Sequence, residues 1–309
     1  MERREFLKTI GAVAVTAMPL AKMLTSCSVG DDRHQTLTIL HTNDVHSHID
    51  PFPEDDPRYH GLGGYARRQA YIDKTIVERG ADNTMVFESG DMFQGTPYFN
   101  YYKGTLEMQL MNRMHIDAVT IGNHEFDNGV GALCNCIEMA NFPFLNANYK
   151  IADARMHRLV SPYKIFNRGG MRIGVFGLGM RLEGLVSRFN HEGVMDGDPI
   201  EAAREASAFL RKEGCKIIIA LTHIGYSMVN TPDDISLAMA TTDVDMILGG
   251  HSHTFLARPD YITNAVGRKV LVNQVGFGGI NVGRIDIAIK GDGGLAYINT
   301  ENRNMDATV

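Results

Sequence analysis

Twelve histidines are spread along the 309 residues, and the informative ones stand beside asparagine, aspartate and glycine. The sharpest stretch is Val119-Thr120-Ile121-Gly122-Asn123-His124-Glu125-Phe126-Asp127. Its short apolar run reads as a buried strand, and Gly122 permits a sharp turn that leaves Asn123 and His124 side by side at the strand end. Asp127 follows three residues after His124, close enough for its carboxylate to reach back and fix the imidazole's tautomer and orientation. A merely capped Gly-Asn-His turn is the plain alternative, and four further clusters weigh against it. They are His41-Thr42-Asn43-Asp44-Val45-His46-Ser47-His48, Ser89-Gly90-Asp91, Thr222-His223-Ile224-Gly225 and Gly249-Gly250-His251-Ser252-His253.

Each cluster directly follows a predicted strand, and ligands in α/β sheets bind beyond the carboxyl ends of strands. The clusters are therefore expected to converge in space. Carboxylates, imidazoles and one amide oxygen, without thiolate, suit divalent Zn, Mn, Fe or Co better than Ca or a structural zinc. Seven candidate ligands are too many for one ion. Two ions about 3.5–4 Å apart, bridged by one carboxylate, would use them all and clamp an in-line displacement at phosphorus.

The elements that must position these groups alternate along the chain. Leu37 to Leu40, Met85 to Phe87, Ala118 to Ile121, Ile173 to Phe176, Ile217 to Leu221 and Val244 to Leu248 are predicted strands, mostly too apolar to face water on either side. Residues 62–79 carry apolar positions at helical spacing. Asp198-Pro199-Ile200-Glu201 reads as a cap with Pro at the first helical position, opening a helix to about Lys212, and Thr231-Pro232-Asp233-Asp234 reads the same way. Alternating strands and helices make an α/β domain. From Val270 onward, alternating residues and the glycines Gly276, Gly278, Gly279 and Gly283 suggest antiparallel strands and turns, with a loose tail after Asn302.

The order Asp-x-His, Gly-Asp, Gly-Asn-His-Glu, His, Gly-His-x-His resembles the calcineurin-like metallophosphoesterases. The words His-Thr-Asn-Asp, Gly-Asp-Met-Phe-Gln-Gly-Thr and Gly-Asn-His-Glu-Phe-Asp narrow the resemblance to the 5′-nucleotidase branch, over roughly Leu37 to Ile289. It implies a four-layer α/β/β/α sandwich with two divalent metal ions. By position, Asp44, His46 and His253 would bind the first metal, and Asn123, His223 and His251 the second, with Asp91 bridging. His253 stands where some members have glutamine, a change that bears on metal preference. His124 and Asp127 resemble the family's catalytic dyad. The metals would lower the pKa of a coordinated water so that hydroxide attacks phosphorus, while His124 steadies the phosphoryl oxygens or protonates the leaving alkoxide. Phosphate monoesters, 5′-nucleotides above all, are the implied substrates. Cyclic phosphodiester or nucleotide-sugar hydrolysis is the enzymatic alternative, and a metal-binding interaction module the non-enzymatic one.

Other residues carry plainer readings. His41 and His48 are expected to pack or support rather than ligate; His34, His60, His115, His157 and His191 fall in no cluster. Met108, Met111 and Met114 read as core. Ser47 and Ser252 have no triad partners, so a serine nucleophile is not expected.

Hydrophobic residues make up 44% and charged residues 21%, an ordinary globular balance, and the net charge of −6 argues against a nucleic-acid polymer or an anionic membrane surface as partner. Glu2-Arg3-Arg4-Glu5-Phe6-Leu7-Lys8 is a twin-arginine start, and the 13 residues from Thr9 to Ala21 are apolar but too short to cross a bilayer. Leu24-Thr25-Ser26-Cys27 resembles a bacterial lipobox. The expectation is a signal segment over 1–26, a linker over 27–35 and a metallophosphoesterase domain over 36–309, exported to the periplasm or cell envelope and anchored through lipidated Cys27. Cys134, Cys136 and Cys215 have no pairing pattern and read as half-buried thiols. Nucleotidases of this branch resemble two-domain proteins whose C-terminal part stacks the base. No matching stretch follows Gly294 in this sequence, so a separate C-terminal nucleotidase domain is an expected partner.

Overall fold

Two β-sheets packed face to face, each backed by helices, position the clusters. The computed structural model describes residues 36–229, 231–289 and 294–309; the twin-arginine stretch, Cys27 and His34 lie outside them. The first sheet has seven strands in the order Leu295–Asn304, Asn281–Ile289, Thr36–Thr42, Thr84–Glu88, Ala118–Thr120, Phe144–Leu145 and Val160–Ser161. Its last five run parallel, while the two C-terminal strands are antiparallel. The second sheet has six, in the order Asp260–Thr263, Lys269–Asn273, Met246–Leu248, Ile217–His223, Met171–Gly179 and Tyr163–Arg168.

Strand alternation assigns each apolar side chain to a layer. Leu37 and Ile39 point between the sheets, where they meet Phe87, Ile173, Ile219 and Leu248. Leu40 and Val86 point the other way, under the helices Tyr65–Arg79, Thr105–Met111 and Gly129–Met139, with Ile72, Met108 and Leu133. Phe176, Ile218 and Ala220 pack against Leu210 and Leu237 of the helices Pro199–Lys212 and Asp234–Ala240. The layers are helix, sheet, sheet, helix, as the family resemblance implied. With both faces covered, the central strands are buried along nearly their whole length, and the few polar residues they carry, such as Thr38, His41 and Glu88, are buried with them.

The Asp198 cap forms as expected, its carboxylate accepting from the amides of Ile200 and Glu201. At the second site the cap is Asp233, locked reciprocally with Ser236, so Pro232 precedes the cap instead of opening the helix. Two C-terminal expectations change. Lys269–Asn273 pairs antiparallel with Asp260–Thr263, as expected, but parallel with Met246–Leu248, and both its faces are covered, Val270 and Val272 by helices and Leu271 by the other sheet. The stretch after Asn302 is anchored: the strand continues to Asn304, Met305 is fully buried, and its amide donates to the Ile280 carbonyl at 2.8 Å. Cys134, Cys136 and Cys215 are free and more deeply buried than the sequence reading supposed. Among the described residues no helix is long and apolar enough to cross a membrane.

The two sheets come close together at Gly177. A Cβ there would collide with the Leu145 carbonyl and come within 2.8 Å of Thr120 Oγ1, both in the facing sheet. Backbone cannot swing aside as a side chain can, so Gly177→Ala is expected to cost about 1–3 kcal/mol. Urea unfolding would show a lower midpoint with an unchanged slope.

Candidate metal centre

The carboxyl ends of Thr36–Thr42, Thr84–Glu88, Ala118–Thr120, Ile217–His223 and Met246–Leu248 deliver all five clusters to one cleft. Asp44, His46 and His253 form one group whose ligand-type atoms lie within 4.8 Å of one another, and Asp91, His223 and His251 form a second with the same spread. Asn123 joins the second group, its Oδ1 lying 2.9 Å from His251 Nδ1. Asp91 Oδ2 sits between the groups, 3.0 Å from His223 Nε2 and 3.9 Å from His46 Nε2. All seven candidate ligands therefore lie close together.

The backbone is bent to achieve this. Asp44, His46, Asp91, His251 and His253 have φ of 52°, 45°, 53°, 79° and 52°, in the left-handed region that non-glycine residues seldom occupy. Such outliers gather where a site dictates geometry. The turns are pinned by hydrogen bonds, from the Asp44 amide to the Gly90 carbonyl and from the His46 amide to the Asp91 carbonyl, each 3.0 Å.

Donor chemistry fits divalent cations. His223 Nδ1 donates to the Ser89 carbonyl at 2.7 Å, which leaves the buried Nε2 facing Asp91 Oδ2 at 3.0 Å. His46 Nδ1 likewise donates to the Phe93 carbonyl at 3.1 Å, and its Nε2 faces His253 Nε2 at 2.9 Å. Two imidazole nitrogens so close share either a proton or a cation. Burial opposes a charge on His223, yet the carboxylates of Asp91 and Asp44 outweigh it and raise its pKa to about 10. The site thus demands positive charge, and oxygen with imidazole nitrogen is the donor set of Zn, Mn, Fe or Co.

Beside the groups stands His124, whose Nδ1 donates to Asp127 Oδ2 at 2.9 Å. That bond raises the His124 pKa above the usual imidazole range. Both side chains are about one-third exposed, so the pair lines the open cleft. Asn190 Nδ2 donates to the Asp127 carbonyl at 2.8 Å and steadies this corner.

The sequence reading left out the residues that hold the ligands. Glu125 is buried and accepts from four backbone amides, those of Gly122, Asp91, Met92 and Phe93, at 2.6, 2.9, 2.8 and 3.4 Å. It ties the Asn123 turn to the Asp91 turn. Its position within Gly-Asn-His-Glu was the available signal, an acid too close to the ligands to be surface decoration. Glu125→Gln would place an NH₂ against N–H donors and is expected to weaken metal binding by roughly 10–100-fold, read by metal titration of the purified protein. Asn43 supports Asp44 similarly, donating to Asp44 Oδ2 at 2.7 Å and to the Gly276 carbonyl at 2.6 Å.

The plainer readings stand as well. His41 is buried between strands, hydrogen-bonded to Asn273 Nδ2 at 2.8 Å, and burial lowers its pKa to about 3. His48 stacks on Phe52. Met108, Met111 and Met114 are core. Ser252 Oγ accepts from the Tyr226 amide and meets Thr254 and Gln274, with no base beside it.

An α/β/β/α sandwich with paired oxygen-and-imidazole groups at its strand ends defines a class of metal-binding phosphoesterase. Residues 37–255 match the calcineurin-like phosphoesterase family, and the chain belongs to it. It is 34% identical to the 5′-nucleotidase of Bos taurus over 249 residues, covering 78% of this chain and 41% of that protein. The crystal structure of a 5′-nucleotidase precursor from Thermus thermophilus superposes with a TM-score of 0.80 at 34% identity, covering 87% of this chain and 54% of that one. The Haemophilus influenzae NAD nucleotidase gives 0.78 at 26% identity, covering 87% and 56%. The chain thus spans about half the length of these relatives.

Proposed function

We propose that this protein hydrolyses phosphate monoesters, 5′-nucleotides foremost, at a dinuclear metal site held by Asp44, His46 and His253 on one side and Asn123, His223 and His251 on the other, with Asp91 shared. The observation that carries the reading is the placement of the Asp91 carboxylate between two ligand groups, with the His124–Asp127 pair beside them. Bound divalent ions, Zn, Mn, Fe or Co, supply the Lewis acidity that makes water nucleophilic near neutral pH and neutralises phosphoryl oxygens.

The chain's own residues do the rest. The amide of His251 donates to Asp44 Oδ2 at 2.9 Å, and Asn43 donates to the same oxygen, so the carboxylate cannot rotate away. Ser89 and Phe93 carbonyls fix the tautomers of His223 and His46. With Nδ1 committed to Asp127, His124 presents Nε2 to the cleft, where its proton stabilises a phosphoryl oxygen or passes to the leaving alkoxide.

The test is steady-state phosphate release by the full chain loaded in turn with Mn, Co and Zn, against an aryl phosphate, AMP, a cyclic nucleotide and a nucleotide sugar. Metal-dependent turnover of the monoesters is the expected result. Turnover confined to the cyclic nucleotide or nucleotide sugar would replace the substrate class, and no turnover with metals bound would favour a metal-binding interaction module. A second reading has this metal domain work together with a C-terminal nucleotidase domain, since the chain spans 41% of the bovine relative. Aryl phosphate cleavage without preference for AMP would support it.

The amino-terminal motifs add an exported, lipid-anchored location and a domain beginning near residue 36. Cell fractionation is expected to find the parent protein with membranes and Cys27→Ala in the soluble fraction; identical distribution of the two would exclude the anchor.

A further inference from the structure

One wall of the cleft is aromatic, and nothing in the metal chemistry requires it. The His253 ring stacks on Phe277, centroids 5.1 Å apart and planes 14° from parallel. Phe277 in turn meets Phe52, Tyr59 and Phe255 edge-on, at 5.9, 5.4 and 6.0 Å. Tyr59 and Phe255 lie within 19° of parallel, and Phe255 is 41% exposed.

This wall is seated on the main chain. The Phe255 ring rests directly on Gly276, where any Cβ would collide with it, and the Phe52 ring rests on Gly278, where a Cβ would fall 2.7 Å from the ring. Gly276 and the stacked Tyr59, 5.9 Å away, cover parts of the Phe255 ring, and the rest of it stays open to solvent. The glycine loop is also bolted to the metal centre, because the Gly278 amide donates to the Asp44 carbonyl at 2.8 Å and the Gly276 carbonyl accepts from Asn43. The glycines near 276–279, which read in the sequence only as turns, thus fix an aromatic surface relative to Asp44.

Geometry fixes what reaches this surface. Phosphorus must lie among the ligand groups, and the rings His124, His46, His253 and Phe277 follow one another at 5.4, 4.9 and 5.1 Å. The organic part of an ester that leaves the cleft past His253 arrives on the rings. We propose that Phe255 and Tyr59, backed by Phe277, form a stacking subsite for the nucleobase of a nucleotide substrate. The subsite belongs to this chain and is separate from any base site on a C-terminal nucleotidase domain. It rests on the reading of the centre as a phosphomonoesterase. Stacking accepts any base, since every base offers a π-face.

AMP and ribose 5-phosphate test this directly, because both release a ribose 5′-alkoxide and they differ by the base. For the metal-loaded full chain, kcat/KM is expected to favour AMP by roughly 10–100-fold, the range that one base–aromatic stack provides. Phe255→Ala should cut that preference by about tenfold while leaving ribose 5-phosphate hydrolysis within about twofold of the parent, and Phe255→Trp should restore it. Equal kcat/KM for the two esters in the parent, or a preference unmoved by Phe255→Ala, would overturn the subsite. Should neither ester be hydrolysed, the phosphoesterase reading fails, and calorimetric titration with adenosine still decides: binding that Phe255→Ala weakens supports the subsite, and no binding by the parent overturns it.

Discussion

His124→Ala is expected to lower kcat by roughly 10²–10⁴-fold while the protein retains its full complement of bound metal. The separation of the two effects follows from position. His124 belongs to neither ligand group, yet its ring lies 5.4 Å from that of His46, and its Nδ1 is already engaged by Asp127. On the proposed reading the imidazole keeps one nitrogen free of Asp127 and would have no part in holding metals. Its backbone amide, which donates to Asp91 Oδ1 at 2.8 Å, survives the substitution, so the bridge geometry is kept. Asp127→Asn should fall between the parent and His124→Ala, since an amide can still contact Nδ1 but no longer favours the charged ring. Metal analysis beside single-turnover kinetics checks both. Loss of metal in His124→Ala would make the residue a ligand, and unchanged turnover would remove the dyad from the mechanism.

Asp91→Asn carries the other large effect. The Asp91 side chain is buried and reaches both groups, with Oδ2 3.0 Å from His223 Nε2 and 3.9 Å from His46 Nε2. An amide keeps an oxygen but loses the charge that would balance two cations and gives up one acceptor. Even groups that merely support a ligand cost about 10–100-fold in affinity when removed, so a shared ligand should cost at least that at each ion. Equilibrium dialysis followed by elemental analysis is expected to show both ions weakened together, with turnover down by at least roughly 10²-fold. An Asn variant that loses one ion and keeps the other at parental affinity would rule out the shared role.

The site was more legible in the sequence than its scaffolding. Asp44, Asp91, Asn123, His223 and His251 each stand one or a few residues past an apolar run, and parallel strands must deliver such residues to a common edge. Local order was enough to place them. Glu125, Asn43 and the Gly276–Phe255 contact act between segments far apart in the chain, and no spacing rule links Phe255 to Tyr59 or Glu125 to Met92. The direction of Lys269–Asn273 was hidden for a related reason, since a strand covered on both faces shows its burial and conceals its neighbours. Met305 looked like a tail residue because only the folded chain places it against Ile280 and Gly63.

Metal titration of the stripped full chain, with Mn-supported phosphate release from an aryl phosphate measured at each addition, tests the dinuclear proposal most directly. Turnover is expected to stay near background through the first bound equivalent and to rise with the second, in proportion to doubly loaded protein. Full turnover at one bound equivalent, or phosphate release that continues in the stripped protein, would contradict it.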